Sequence, residues 1–458
     1  MTSRALNIVG QAYADETAPL ASQESINWFP ESVETDGTRS VIAMKGTPGL
    51  QSFGLVGTGT VRGSVVMGGV LYVVADTQLY SVASDGTATS LGTVSGTGRV
   101  SMAQDGTYVV LVNGALGWTY KPSTSTFAQI TAGAFYAADT VAWVNQVFVF
   151  NRSGTGQFFW SGIADPTAYN ALDFATAEAA PDNVLGVLAD HGELWVFGSD
   201  SVEVRRFIPF SNLAAVIQRG CASAYSFCAA ANTVFWLGSD GVMYVSQGYN
   251  ALRISTRPIE QALGSETLSS AFMFAYEDNG HAFICLTFPS GKTWVYDYVM
   301  KMWHRRQSYN MTRWRANTYI RAYNKHLVGD INNGQLWEMR HDVYTEGSDP
   351  LIAERKTQFF SQNQDWIYGA SLELVLNSGV GTTSGDGSSP VVEMRYSDDG
   401  GRNFSTWRWE NFGRLGEYNA RVFFSRLGRF RSRLFHIRIS SPVRRDLIAA
   451  TGDADVAA

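Results

Sequence analysis

Gly69-Val70-Leu71-Tyr72, Gly106-Thr107-Tyr108-Val109, Gln146-Val147-Phe148-Val149, Gly192-Glu193-Leu194-Trp195, Gly241-Val242-Met243-Tyr244, Gly280-His281-Ala282-Phe283 and Gly334-Gln335-Leu336-Trp337 are seven versions of one phrase. Each is a turn ending in Gly or a polar residue, followed by apolar and aromatic residues in alternation, the period of a half-buried strand. Successive copies lie roughly 40–50 residues apart, with a few shorter or longer gaps; that is the size of a unit of four short strands, one propeller blade. The phrase therefore predicts an all-β fold built on a β-propeller of about seven blades, with six or eight as alternatives because the 150–220 region breaks the period. It leaves function open, since propellers host many unrelated activities.

Composition agrees. A chain of 458 residues exceeds what one compact core serves, unless that core is assembled from repeats. It carries 45 Gly against 12 Pro and is 13% aromatic, the mixture that hairpin turns and pleated surfaces use. The best helix candidate, 257–268, is short. The longest apolar stretch, 65–75, is too short to span a bilayer, so no membrane partner is expected. Met1-Thr2-Ser3-Arg4 lacks the apolar core of a signal peptide, and Cys221, Cys228 and Cys285 are odd in number without Cys-x-x-Cys spacing. Free thiols in a protein made in the cytoplasm are expected.

Four regions are predicted: an extended arm over 1–50, a propeller over 51–350, a smaller sandwich-like β domain over 351–450, and a disordered tail over 451–458. In the arm, Asn27-Trp28-Phe29-Pro30-Glu31 precedes a Gly/Thr-rich turn, and Trp28 and Phe29 are expected to anchor it on the propeller or on a neighbour. The C-terminal strand candidates are 372–376, 391–396, 406–410, 421–425 and 434–440.

Catalytic signatures are missing. Gly291-Lys292-Thr293 ends like a phosphate-binding loop, but Leu286 stands where the first Gly is needed, and the context is a hairpin. No serine sits in Gly-x-Ser-x-Gly, and the six histidines show no His-x-His or His-x-x-x-His spacing. The chain reads as a non-enzyme with no cofactor and no metal. Ser397-Asp398-Asp399-Gly400-Gly401-Arg402-Asn403-Phe404 fits the Asp-box turn, in which short side chains bond back to the backbone; it reads as structural.

Charge is split. Residues 1–299 hold 13 Lys and Arg against 24 Asp and Glu, a net of −11, whereas 300–458 hold 22 against 17, a net of +5. Between Arg402 and Arg445 lie eleven arginines and only two acids, Glu410 and Glu417. Arg426, Arg429, Arg431 and Arg433 crowd one stretch, with Trp407 and Trp409 upstream. Arg with Trp is the usual composition of a protein-interface anchor. Contact with DNA phosphates and a merely solvated strand face are the other readings, and no groove-reading element accompanies the arginines.

Both ends of the chain resemble the packaged-DNA stabilisation proteins of short-tailed bacteriophages, which form the tail hub or nozzle. The carriers are Ile26-Asn27-Trp28-Phe29-Pro30-Glu31 with Gly46-Thr47-Pro48-Gly49-Leu50, then Gly98-Arg99-Val100-Ser101-Met102-Ala103. The C-terminal carriers are Tyr396-Ser397-Asp398-Asp399-Gly400, Arg426-Leu427-Gly428-Arg429-Phe430-Arg431 and Phe435-His436-Ile437-Arg438-Ile439-Ser440-Ser441-Pro442. The resemblance implies a virion tail protein assembled in the host cytoplasm, a homohexameric ring below portal and adaptor. It also implies retention of packaged DNA, which passes without sequence-specific binding, and a docking surface for tail fibres, spikes or needle. The alternative is a sialidase-like propeller that binds or cleaves glycans, for which two carboxylates about 5–10 Å apart in a cleft would be needed.

Overall fold

Each copy of the recurring phrase is a tight turn running into an interior strand of a four-stranded sheet. The computed structural model describes residues 2–13, 23–32, 42–177, 180–210 and 212–456, and arranges seven such sheets as blades. Blades 1 to 7 occupy residues 61–93, 101–129, 141–176, 184–217, 227–253, 272–306 and 316–340. The copies at 69, 106, 146, 192 and 280 open the second strand of a blade; those at 241 and 334 open the third, Met243–Gln247 and Gln335–Arg340. That shift accounts for the uneven spacing. Interior strands such as Val109–Val112 and His281–Thr287 are buried along their whole length because neighbouring blades cover both faces.

The innermost strands of successive blades pack side by side, and their leading ends meet across the axis. Arg99, ahead of blade 2, donates from Nη1 to Asn317 Oδ1 of blade 7 at 3.1 Å and from Nη2 to Asn317 O at 2.5 Å. Its guanidinium lies 3.6 Å from the ring centroid of Phe272 in blade 6. Tyr225, ahead of blade 5, donates its hydroxyl to Asp139 O ahead of blade 3 at 3.1 Å. One end of the propeller axis is thus spanned by side chains.

The N-terminal arm is distributed over both domains. Its strands are β1 (Thr2–Leu6), β2 (Glu24–Ile26), β3 (Trp28–Ser32), β4 (Ile42–Gly46) and β5 (Gly49–Leu55). β5 pairs antiparallel with Gln335–Arg340 as the outer strand of blade 7, so residues from both ends of the propeller segment close the ring. β3 and β4 join Leu447–Val456, Ile367–Leu376 and Val422–Phe430 in one sheet of a C-terminal sandwich, and β1 pairs with Leu447–Val456. The second sheet contains Ala353–Lys356, Ser432–Ile439, Val391–Ser397 and Arg408–Asn411. Trp28, Met44, Leu372, Met394, Phe424, Ile437 and Leu447 fill the space between them.

β2 makes that second sheet continuous with blade 6. It pairs parallel with the outer strand Met302–Arg306 and antiparallel with Ala353–Lys356. Asn27, in the left-handed region at φ 54°, donates through Nδ2 to Gln307 O and to Ile352 O, both at 2.8 Å, one on each side of the joint. The next two residues diverge. Trp28 enters the sandwich core and donates Nε1–H to Arg445 O at 2.5 Å, while Phe29 packs edge-on against Phe283 of blade 6 at 5.2 Å.

Two expectations change. Residues 451–456, expected to be disordered, form the second half of Leu447–Val456. Thr451-Gly452-Asp453-Ala454-Asp455 has no apolar alternation to announce a strand, but β1 bonds one edge and Ile367–Leu376 the other, so its backbone groups are satisfied from both sides. The arm, expected as an extended segment anchored on the propeller or on a neighbour, supplies strands to both sandwich and propeller of its own chain. Its Gly/Thr-rich turn and residues 457–458 of the expected tail lie outside the described residues. The helix expected over 257–268 is Arg257–Gly264.

Glu24 in β2 holds the joint electrostatically. Burial alone would raise its carboxyl, but Lys356, 2.6 Å away in the sandwich, and Arg305 in blade 6 outweigh that and hold it down at about 2. A carboxyl depressed on folding contributes stability that is complete above its unfolded value near 4.5 and is lost as pH falls toward about 2. The contribution is about 3 kcal/mol at most. Glu24→Gln is therefore expected to lower the urea midpoint near neutral pH, and the gap to the unsubstituted chain is expected to narrow steadily below pH 4.5.

Candidate partner interface

The outward side of the first sandwich sheet carries a group of cations without carboxylate partners among the described residues. Ile367–Leu376 and Val422–Phe430 are neighbours, with Ile367 opposite Phe430 and Tyr368 opposite Arg429. Ile367 and Phe430 point into the core, so by strand alternation Trp366, Tyr368, Arg429 and Arg431 share the outer face. The guanidinium of Arg429 lies 4.7 Å and that of Arg431 4.6 Å from the Trp366 ring centroid. Neither arginine has a carboxylate partner among the described residues, and both are exposed. Arg426 stands exposed beside them at φ 56°, where the pairing is irregular between Ser425 and Gly428. Val422–Phe430 is an edge strand of its sheet, and Phe423 projects from it, 39% exposed.

Two neighbouring arginines are already committed. Arg421 forms a bidentate pair with Glu373 at 2.7 and 2.9 Å. Arg433 is 1% exposed; it grips Asp398 with two bonds of 2.6 Å, donates to Leu427 O at 2.5 Å, and lies 3.8 Å from the Tyr396 ring. Placing Arg433 among the interface candidates is thus corrected: alternation past the Phe430–Arg431 turn swings it inward. Trp28 and Phe29 are likewise removed, since both are buried in their own chain. Trp407 is half-buried, its ring stacked between Arg395 at 4.4 Å and Arg438 at 4.3 Å. Trp409 is 68% exposed, but on Arg408–Asn411, the far edge of the other sheet. Of the eight interface candidates, Arg426, Arg429 and Arg431 come together on one surface, and Trp28 and Phe29 anchor the arm within their own chain. Trp366 and Tyr368 were missed; the signal was the aromatic–apolar–aromatic run Trp366-Ile367-Tyr368 leading into a strand.

The Asp box is a closed turn. Asp399 accepts from the backbone N–H of Arg402 and Asn403 and from Ser397 Oγ, which holds its carboxyl down at about 2, and Asp398 is spent on Arg433. Neither acid is free for chemistry on a sugar. A cleft of about 350 Å³ does open where arm, blade 6 and sandwich meet, but its charges pair internally: Lys45 and Arg444 with Asp446, His341 with Asp278. Among the described residues no group of three or more His, Cys, Asp or Glu is arranged to hold a metal.

Comparison with known families shows which family the chain belongs to. A family model described as bacteriophage P22 Gp10, beta-propeller, matches residues 5–344, and one described as bacteriophage P22 Gp10, beta-sandwich, matches residues 353–454. The chain belongs to the bacteriophage P22 Gp10 family. This is a family of structural phage tail proteins that stabilise packaged DNA, and it is not an enzyme family. The first match includes β2 and ends at Tyr344, and the second begins at Ala353, the first residue of the sandwich strand that β2 pairs with. No curated protein matches the sequence. Among solved structures, a chain of the mitotic checkpoint complex is similar with 12% identity and a TM-score of 0.45, covering 68% of this chain and 96% of that one. The computationally designed Ika8 protein is similar with 11% identity and a TM-score of 0.41, covering 72% and 100%.

Within this Gp10-family sandwich, buried and exposed arginines separate by experiment. Arg433→Ala removes the partner of the part-exposed Asp398 carboxylate and opens a void beside Tyr396, and is expected to cost about 1–3 kcal/mol, read as a lowered melting temperature. The double substitution Arg429→Glu with Arg431→Glu is expected to leave the melting temperature within about 2 °C, because surface changes away from pairs cost at most about 0.5 kcal/mol each.

Proposed function

We propose that this chain is the tail hub, or nozzle, of its virion. Copies of it, six to a ring, surround the DNA exit channel below portal and adaptor, retain the packaged genome, and offer docking surface to fibres, spikes or needle. The observation that carries this reading is the rigid junction: a sandwich fused through β2 to blade 6 holds an unpaired Arg and Trp face at a constant angle to the propeller. A ring that must hold against the outward push of packaged DNA needs subunits that do not hinge, and a face enriched in Arg and aromatic residues suits a protein contact that builds such a ring.

In this reading DNA runs between copies and not through any one propeller, whose axis is spanned by Arg99, Phe272 and Tyr225. The net charge of −11 over residues 1–299 lets phosphate slide past a repelling wall, which is retention without binding. Assembly takes place in the host cytoplasm, and the finished protein resides in the virion tail.

The test is to add the purified chain to DNA-filled, tailless heads that carry portal and adaptor, and to image them by electron microscopy. Six-fold density at the portal vertex with DNA retained is expected. The Arg429→Glu, Arg431→Glu double variant is expected to leave the vertices bare. Bare vertices with the unsubstituted chain would overturn the reading.

A further inference from the structure

The region that broke the sequence period, 150–220, also breaks the surface pattern of the propeller. Large apolar residues stand out on the outer corner of blades 3 and 4: Ile163 is 69% exposed, Leu172 80%, Phe207 68% and Leu213 43%. Ile163 and Leu172 sit in the long connection between the third and fourth strands of blade 3, Gln157–Trp160 and Phe174–Thr176. Phe207 sits in the matching connection of blade 4, after Val202–Arg206, so both loops emerge at the same end of the propeller. They touch: Phe210 packs edge-on against Trp160 at 5.3 Å, and Arg205 donates to Thr176 O at 2.9 Å. Apolar side chains gathered on one exposed corner mark an interaction site more often than chance exposure does.

The blade 3 side of this corner is acidic. Residues 161–173 hold Asp165 and Asp173 and no Lys or Arg, and in blade 4 Arg206, next to Phe207, is paired with Glu193. Asp173 follows Leu172 directly, and its carboxylate has no partner among the described residues. The surface that complements this corner in charge and chemistry is on the chain itself: Trp366, Tyr368 and the unpaired Arg429 and Arg431 of the sandwich.

Within one copy the two surfaces are set apart around the propeller axis. The sandwich continues the sheet of blade 6 outward from its outer strand. Seven blades step about 51° each around the axis, so blades 4 and 3 lie about 100° and 150° away from it. In a closed six-membered ring whose axis runs parallel to the propeller axis, the two patches stand about 120° apart as seen from the subunit centre, which falls between those values.

We infer that the apolar, acidic corner of blades 3 and 4 receives the Arg and Trp face of the sandwich of a second copy, head to tail. This contact rests on the ring proposed above and names the surfaces that form it. Leu172 and Phe207 supply the buried apolar area, Asp173 faces the arginine pair, and the mismatch of the two patches with themselves rules out a two-fold dimer through either.

Cross-linking tests it. Leu172→Cys and Arg429→Cys are made in separate chains, both at exposed positions, and treated with a short bis-maleimide linker alone and mixed. Covalent dimers are expected only in the mixture, with neither variant dimerising above the background of the unsubstituted chain. Their yield is expected to fall with added salt, which screens exposed charges, and to be lost when Asp173→Arg is added to the Leu172→Cys chain. Equal dimer yield from each variant alone would overturn the head-to-tail contact. So would the absence of mixed dimers while the unsubstituted chain builds rings on heads, an outcome that leaves the ring standing with a different interface. If neither mixed dimers nor rings form, the contact and the ring fail together.

Discussion

Three residues of β2 decide what kind of object this protein is. Glu24, Ser25 and Ile26 all pair with the sandwich on one side, and Ile26 pairs with Arg305 of blade 6 on the other, turning a propeller blade and a sandwich sheet into one continuous sheet. Linked domains otherwise meet over modest, polar surfaces and move relative to one another. Here the joint is backbone hydrogen bonding, clamped by the Asn27 side chain and flanked by Trp28 in one core and Phe29 in the other. Arg355, fully buried opposite Ser25, donates to Ile8 O at 2.7 Å and to Gln11 O at 3.2 Å, fastening the rest of the arm over the joint. The arm is thus the last part of the chain that could be removed without separating the domains.

The arginines divide by the same logic of burial. An arginine taken out of water must meet carbonyls, carboxylates or rings, and Arg433, Arg355 and Arg99 each do. The arginines left over, Arg426, Arg429 and Arg431, stand where such partners are missing and where Trp366 gives two of them a flat surface to stack on. A partner surface with acids and apolar groups would complete them. The joint fixes where that face points, so its placement on a ring follows from β2 as much as from the arginines.

Much of this was legible in the sequence. The turn-then-alternation phrase identified the propeller and its seven blades because each blade needs one interior strand buried on both faces, and that demand repeats. What the phrase could not reveal was its own slippage from second to third strand in blades 5 and 7. There the second strands are entered through Ala231-Asn232 and Tyr323-Asn324 turns, whose residues take positive φ without glycine. The closing strand β5 and the tail strand Leu447–Val456 were hidden for another reason. Both are defined by partners about 280 and 80 residues distant, Gln335–Arg340 and Ile367–Leu376, and local pattern carries no trace of that. The interface was half legible: an arginine-rich stretch was visible, but which arginines face outward depends on a turn between Phe430 and Arg433 that inverts the alternation.

The claim most open to direct measurement is that propeller and sandwich are one rigid body. Hydrogen–deuterium exchange over residues 24–27, 302–306 and 353–356 tests it. The account predicts slow exchange in all three segments, with protection lost together under mild denaturant, because their amides belong to one ladder. Fast exchange in 24–27 and 353–356 beside a protected 302–306 would mean that the domains hinge at β2, and would contradict it.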